Sequence, residues 1–353
     1  MPLSRRELYN QPVTNPEAPA ARGEEFRDQE RPARRLPPTE LAPLTGLSAW
    51  RSIASLAWSF CGLALAIGLA LAFWTPGMVV PCVAAIACFQ HSLAILSHEA
   101  THYRLFESRF ANDFAGRICG MLIGVSTFSY RIVHRLHHNH LYQPADPDIA
   151  LMAGYPRGKA YLGKKLLKDL AGLTAPLNYA YFFGAPGANR ATGVAQRPLD
   201  DTAARLRNQA LRDRWVVVAF HVLAFGLAVA TGWWLEYLVL WILPLVTVMQ
   251  AILRLRAVME HGAVSDLSSP LTAARTNVEV PWWARFIFFP HHVNFHIDHH
   301  LYPAVPHYHL PRLHEALQRH GILEGAEVRP FRETLARVFG PRGSVPITRT
   351  AAA

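Results

Sequence analysis

Eighteen histidines occur in 353 residues, and eight of them fall into three short groups. The first reads His98-Glu99-Ala100-Thr101-His102, the second His134-Arg135-Leu136-His137-His138 and the third His296-Ile297-Asp298-His299-His300. Spacings of three and four residues bring side chains to one face of a helix. Neutral imidazole is a ready metal ligand. A lone His-x-x-x-His pair on a helix is commonly structural, but three groups, two with the same His-x-x-His-His spacing, point to metal. They exceed what one tetrahedral zinc takes, which is four ligands in all. Two iron ions use them well, because imidazole suits iron. The first group also matches the His-Glu-x-x-His of zinc proteases, with Glu99 as general base. A membrane zinc metalloprotease is therefore a remote alternative, and it leaves the second and third groups unused.

The elements that must position these histidines are membrane helices. Four apolar runs cover 53–74, 78–97, 215–235 and 237–253. About 20 residues at 1.5 Å each cross a hydrocarbon core of roughly 30 Å. The first two runs are separated by Thr75-Pro76-Gly77 and the last two by Glu236, so each pair reads as a helical hairpin. The expected fold is all-α: a multi-pass membrane protein of four transmembrane helices in two hairpins, with a cytoplasmic helical cap holding a di-iron site. Pro244 is expected to kink the fourth run. Trp74 and Trp233-Trp234 suit the outer interface and Trp282-Trp283 the inner one.

Charge sets the orientation. No Lys or Arg occurs in 52–103 or 215–253, and all 35 basic residues lie elsewhere. Four crossings place residues 1–48, the segment 103–214 and the chain after 253 on one side. All three are basic, so that side is the cytoplasm and both termini lie there. A net charge of +10 so distributed argues against nucleic acid as a partner. Only 17% of residues are charged, below the level of about 25% usual in soluble domains. Cys61, Cys82, Cys88 and Cys119 form no Cys-x-x-Cys pair and read as packing residues. Residues 1–48, rich in Pro, Arg and Glu and lacking an apolar signal stretch, are expected to be a disordered tail. Residues 49–325 form the catalytic domain and 326–353 a second tail. Between the hairpins, 114–130 reads as a re-entrant or interfacial helix. The segment 159–168 holds all four lysines and suits a helix at anionic headgroups. A loop is expected at 184–198, with Asp200 or Asp201 capping the helix after it.

The pattern His-x-x-x-His, His-x-x-His-His, His-x-x-His-His on paired membrane helices resembles the membrane fatty-acid desaturase and hydroxylase superfamily. The stretch 294–306, Asn-Phe-His-Ile-Asp-His-His-Leu-Tyr-Pro-Ala-Val-Pro, with Leu-Pro-Arg-Leu-His at 310–314, is similar to bacterial acyl-lipid desaturases. The resemblance covers roughly 50–320. It implies two non-haem irons that activate O₂ as co-substrate and dehydrogenate an acyl chain. It carries the role of iron ligand to His98, His102, His134, His137, His138, His296, His299 and His300, and adds His261 as a ninth. Some relatives carry Asn one turn before that last histidine, where this chain has Ala257, which leaves Asn294 as a candidate amide. His296 stands where front-end desaturases with a fused haem domain often have Gln. The function expected is an O₂-dependent acyl-lipid desaturase of the bacterial inner membrane. The alternative is a di-iron hydroxylase or ketolase acting on a lipid, alkane or carotenoid. No nucleotide-binding glycine motif, haem-attachment motif or cysteine cluster occurs, so electrons are expected from an external donor such as a ferredoxin.

The remaining histidines have other expected roles. His91 and His221 read as packed residues, His140 and His292 as neighbours of the ligands, and His307, His309, His314 and His320 as surface. Ligating imidazoles need their other nitrogen oriented, often by carboxylate. Glu99, Asp146, Asp148, Glu260 and Asp298 are the candidates.

Overall fold

The computed structural model describes residues 35–345 apart from 144, 153, 186, 189–194, 197 and 201. Helix α1 (Pro38–Thr45) precedes the first hairpin of α2 (Ala49–Ala72) and α3 (Pro76–Thr101). Then follow α4 (Arg109–Leu122), α5 (Thr127–Asn139), α6 (Lys159–Leu170) and α7 (Ala175–Phe182). The second hairpin is α8 (Ala204–Ala230) and α9 (Trp234–His261). Short helices close the fold, among them α10 (Trp282–Ile287), α11 (His296–Leu301), α12 (Leu310–Arg319) and α13 (Phe331–Val338). The strands are minor. Gly187–Ala188 pairs antiparallel with Ala195–Gln196, and Thr276–Val278 runs parallel to Val328–Pro330.

Helices α2, α3, α8 and α9 are long and apolar enough to cross a membrane, making this an integral membrane protein. Their burial differs instructively. Along α2 only a narrow stripe, including Ser59, Leu63, Ala66 and Ala70, is buried, while Trp58 and Leu65 are exposed. In α3 nearly every residue from Cys82 to Thr101 is buried. Thus α3 is the central helix and α2 covers one side of it. Lipid tails are as apolar as leucine, so these helices associate by close packing rather than by escape from water. Gly62 shows the closeness: a Cβ there would run into the Phe89 ring. Gly116 of α4 likewise admits the Cβ of Ala100.

Local chemistry sets the helix starts. Ser48, Ser108 and Ser126 each accept a backbone N–H of the first turn of α2, α4 and α5. The run expected as one helix over 114–130 is two, because the chain turns at Gly124, whose φ of +74° is costly for other residues. The expected kink in the fourth span is a break. A π-helical turn at Leu238–Ile242 precedes Pro244, and Thr247 leaves helical geometry. Beside the break, Gln90 and Gln250 donate to the carbonyls of Trp241 and Leu245 at 3.0 and 2.6 Å. Asp200 does not cap α8, which starts at Ala204 after Ala203; it faces Arg207 instead, and Asp201 lies outside the described residues.

The described parts of both segments assigned to tails, 35–48 and 326–345, contribute to the fold. Leu36 and Leu44, flanking or within α1, pack with Leu313 and Leu317 of α12. Phe331 and Val338 of α13 join Val258 and Phe289 in a core cluster. Charge density hid these contacts, since the apolar residues involved are few and separated.

Candidate metal centre

Helix ends converge on one point. Helix α3 delivers His98 and His102, α5 delivers His134, His137 and His138, α9 ends on His261, and α11 carries His296, His299 and His300. The structure brings all nine predicted residues together, in two groups. One holds His98, His102, His134, His138 and His299; the other holds His137, His261, His296 and His300. Within each group one nitrogen per residue lies within 4.8 Å of every other.

The His-x-x-His-His spacing explains the division. At 100° per residue, the first and last histidine of a box lie about 40° apart on the helix, while the middle one falls on the other flank. So His134 and His138 face one group and His137 the other. In the third box His296 and His300 face the second group and His299 the first. Each box therefore serves two adjacent sites.

The contacts within the groups are between like atoms. The Nε2 atoms of His98 and His134 are 2.8 Å apart, those of His134 and His138 2.9 Å, and those of His138 and His299 3.2 Å. In the second group the Nε2 of His261 lies 3.2 Å from that of His137 and 2.6 Å from that of His296. The outer nitrogens assign the tautomers. His137 Nδ1–H donates to Asp146 Oδ1 at 3.0 Å, and His261 Nδ1–H to the Ala273 carbonyl at 3.3 Å. A neutral imidazole has one N–H, so these Nε2 atoms present lone pairs to each other. The Nε2 of His102 is buried without a hydrogen-bond partner. Converging lone pairs in a buried place are stable only around cations, so the residues fit metal ions.

Electrostatics agree. Burial first, and then the neighbouring imidazoles, hold His134, His138, His296, His299 and His300 far below the usual histidine range, with His102 at about 3. They stay neutral and keep their lone pairs at neutral pH. His137 goes the other way. Burial opposes its charged form, but Asp146 and Asp148 outweigh burial and push it up to about 9. Carboxylates that favour a proton on this ring equally favour a metal cation on its Nε2.

The carboxylate candidates divide. Asp146 orients His137 and also accepts the Tyr142 and Asp148 backbone N–H groups, so it is both an outer partner and a turn residue. Asp148 Oδ2 lies 3.5 Å from His137 Nδ1 and its other oxygen accepts from Tyr181. Glu260 pairs with Arg256 at 2.8 Å and faces His296 Nδ1 at 3.8 Å. Glu99 lies 3.5 Å from His98 Nδ1 and accepts from the backbone N–H and Nδ1 of His307. That engaged carboxylate is not the free base a His-Glu-x-x-His protease needs. Among the described residues the Asp298 carboxylate bonds none of the nine; it accepts from His314 and Thr276.

Several outlying histidines correct the sequence reading. His307, His309 and His314 are buried rather than on the surface. Their buried partners, Glu99, the Leu44 carbonyl and Asp298, are distant in sequence, and only Glu99 and Asp298 flanked a motif. His320 is partly exposed and pairs with Glu40. His140 bonds Gln143 and belongs to neither group, nor does His292. His91 is packed, bonded to the Ile287 carbonyl, and His221 bonds the Met121 carbonyl. Asn294 donates its amide to the Asn277 carbonyl rather than to the groups.

A cavity of about 100 Å³ lies against both groups, with His134, His137, His261 and His296 on its wall. Ile123, Val125, Met249 and Leu253 line it, together with the charged pair Arg256 and Glu260. A narrower hollow adjoins it, sharing Tyr181, Phe182, Leu253 and Ala257. Together they make a mainly apolar slot running from the imidazoles along α7 and α9.

Residues 72–330 match the model of the fatty acid desaturase family. A bifunctional desaturase/conjugase of Vernicia fordii is 26% identical over 242 residues, 63% of this chain and 61% of that protein. An endoplasmic-reticulum omega-6 fatty acid desaturase of Glycine max is 24% identical over 237 residues, 63% of this chain and 60% of that one. An oleoyl-12-hydroxylase of Ricinus communis is 23% identical over 254 residues, 65% and 63% of the two chains. The chain thus spans less than two thirds of the length of each of these relatives.

Proposed function

The chain belongs to the fatty acid desaturase family, and from that premise we propose that it is a di-iron oxidoreductase that introduces a double bond into the acyl chain of a membrane lipid. The observation that carries the reading is the placement of two groups of buried or half-buried imidazoles, five and four residues, along one mainly apolar slot. His98, His102, His134, His138 and His299 would hold one iron, and His137, His261, His296 and His300 the other. Two irons with O₂ and two external electrons supply an oxidant strong enough for an unactivated methylene, with O₂ reduced to two waters.

The chain's own residues do the rest. Asp146 and the Ala273 carbonyl fix the rings of His137 and His261 so that their Nε2 lone pairs point inward. Tyr142 donates to the carbonyl of His261 and steadies the end of α9. Ile123, Val125, Met249 and Leu253 exclude water and hold the chain beside the imidazoles. The Arg256–Glu260 pair is the polar landmark of the slot and marks where a polar part of the substrate is tolerated. We place the histidine side and both termini in the cytoplasm of a bacterial inner membrane, where a small electron carrier such as a ferredoxin can reach the site.

One observation favours a second outcome: the relatives include a hydroxylase as well as desaturases. Mass separates the two. Expression in a bacterial host with a compatible ferredoxin is expected to yield membrane acyl chains lighter by two hydrogens, absent in a His299→Ala control. Purified protein is expected to carry close to two irons. An O₂-dependent gain of one oxygen, with no new double bond, would replace the desaturase by the hydroxylase. One stoichiometric zinc, with turnover intact in His300→Ala, would overturn the di-iron reading.

A further inference from the structure

A second cavity, of about 560 Å³, lies apart from the histidine groups, and it shares no lining residue with the slot beside them. Helix α3 separates the two. Cys88, Phe89 and Ser92 face the large cavity while Ala94 and Ser97 face the slot. At 100° per residue these two sets point to roughly opposite sides of the helix. Whatever occupies the large cavity is not the chain lying against the imidazoles.

Its walls are of two kinds. Trp58, Phe89, Phe286 and Phe289 make an apolar floor, and Trp58 and Trp282 are 60% and 80% exposed at its margin. Ser55, Arg285, His292 and Tyr308 make a polar wall. Ser55 lies six residues into α2, so the polar wall is at the end of the hairpin that carries His98 and His102. Exposed tryptophans beside a polar wall are the mark of the membrane–water boundary.

The polar wall is cationic. Arg285 uses its Nε to bond the Val280 carbonyl at 3.1 Å, and its terminal nitrogens have no protein partner among the described residues. Arg51 lies close by, 5.4 Å from the Tyr308 ring. Burial first, then the charges of His307 and Arg285, push His292 down to about 4, so its ring is neutral and has one N–H to donate. None of the residues lining the cavity is acidic. The carboxylate behind it, Glu99, is already held by His307, whose Nε2 meets Ser55. The backbone here is strained as well: the consecutive His291 and His292 have φ of +55° and +59°. Such residues cost about 1–3 kcal/mol each and cluster at ligand sites.

We propose that this cavity binds an anionic phospholipid, its phosphate on Arg285 and the N–H of His292 and one acyl chain over Trp58 and Phe89. Arginine is the side chain best suited to a phosphate. With no acidic group on the wall, the headgroup lacks a partner for a choline or ethanolamine cation, so phosphatidylglycerol is favoured over phosphatidylcholine. The bound lipid braces His307, and through it the Glu99 carboxylate and the end of α3.

The experiment reads binding without turnover, so it stands or falls independently of the proposed reaction. The full chain, delipidated in detergent, is titrated with phosphatidylglycerol, phosphatidylcholine or inorganic phosphate and followed by native mass spectrometry and thermal midpoint. Phosphatidylglycerol is expected to give one persistent adduct per chain and a raised midpoint. Arg285→Glu should weaken that adduct at least about tenfold, in keeping with loss of a charge-assisted bond. Trp58→Ala, at an exposed position, should weaken it without altering iron content. Ala257→Phe, which narrows the slot on the other side of α3, should leave it unchanged. Equal adducts in Arg285→Glu and the parent, loss of the adduct in Ala257→Phe, or equal binding of phosphatidylcholine would overturn the assignment. Equal protection by inorganic phosphate would overturn the lipid as occupant.

Discussion

His137 donates from Nδ1 to Oδ1 of Asp146 at 3.0 Å, with both side chains buried. The bond leaves only Nε2 for the interior, and the carboxylate charge strengthens that nitrogen as a donor to a cation. Asp146→Asn keeps an acceptor oxygen and removes the charge. Iron affinity is expected to fall about 10–100-fold, read by metal analysis after competition with a chelator, while the helical circular dichroism is unchanged. Retention equal to the parent would show that Asp146 serves only its turn.

A buried arginine fixes the end of α9 from behind. Arg275 donates to the carbonyls of Met259, Gly262 and Ala263, and its Nε faces Glu327 at 3.5 Å. Glu327 is held below the ordinary carboxylate value of 4.5: burial would raise it, but Arg275, Arg329 and Arg337 outweigh burial. A depressed folded value means that the stabilisation is complete above 4.5 and lost as pH falls through the folded value. Glu327→Gln should therefore be less stable than the parent at neutral pH, by up to about 3–5 kcal/mol as for other broken buried pairs. The difference should shrink below 4.5, as thermal midpoints across pH would show. A pH-independent gap would remove the charge from the explanation.

Much of this centre was legible in the chain. Box spacing marked eight of the nine converging histidines, and lysine- and arginine-free runs marked the four spans. His261 came only from resemblance, because a single histidine after an apolar run carries no pattern. The division of the second and third boxes between two groups was implicit in the 100° step but needed the opposing helix to become visible. His307 and His314 were unreadable, since their buried partners Glu99 and Asp298 lie 208 and 16 residues away. The break in α9 was half legible. Pro244 announced a disturbance, whereas the π turn before it depends on Gln90 of another helix.

Orientation rests on charge and is open to a direct test. Cysteines placed at Gly77 and Glu236, in the first turns of α3 and α9 at the outer ends of the hairpins rather than in the connecting turns, should react with an impermeant reagent added outside intact cells. A cysteine at Tyr142, beside the histidine groups, should react only after lysis. Labelling at Tyr142 in intact cells would reverse the topology.

Ala257 borders both parts of the slot, where it joins the space beside the imidazoles to the narrower hollow lined by Asn178 and Arg254. If an acyl chain lies there, its length beyond the reacting carbons is set at this constriction. Ala257→Phe adds a ring at the junction, one turn before His261, and leaves all nine histidines in the sequence. Iron content should stay at the parental level, while the product profile shifts toward shorter chains and turnover of long ones falls at least about tenfold, the lower end of what one methylene contributes to discrimination. Acyl profiling by mass spectrometry, paired with metal analysis, reads both quantities on one preparation. An unchanged chain-length profile at full iron would mean that the substrate reaches the imidazoles by another path.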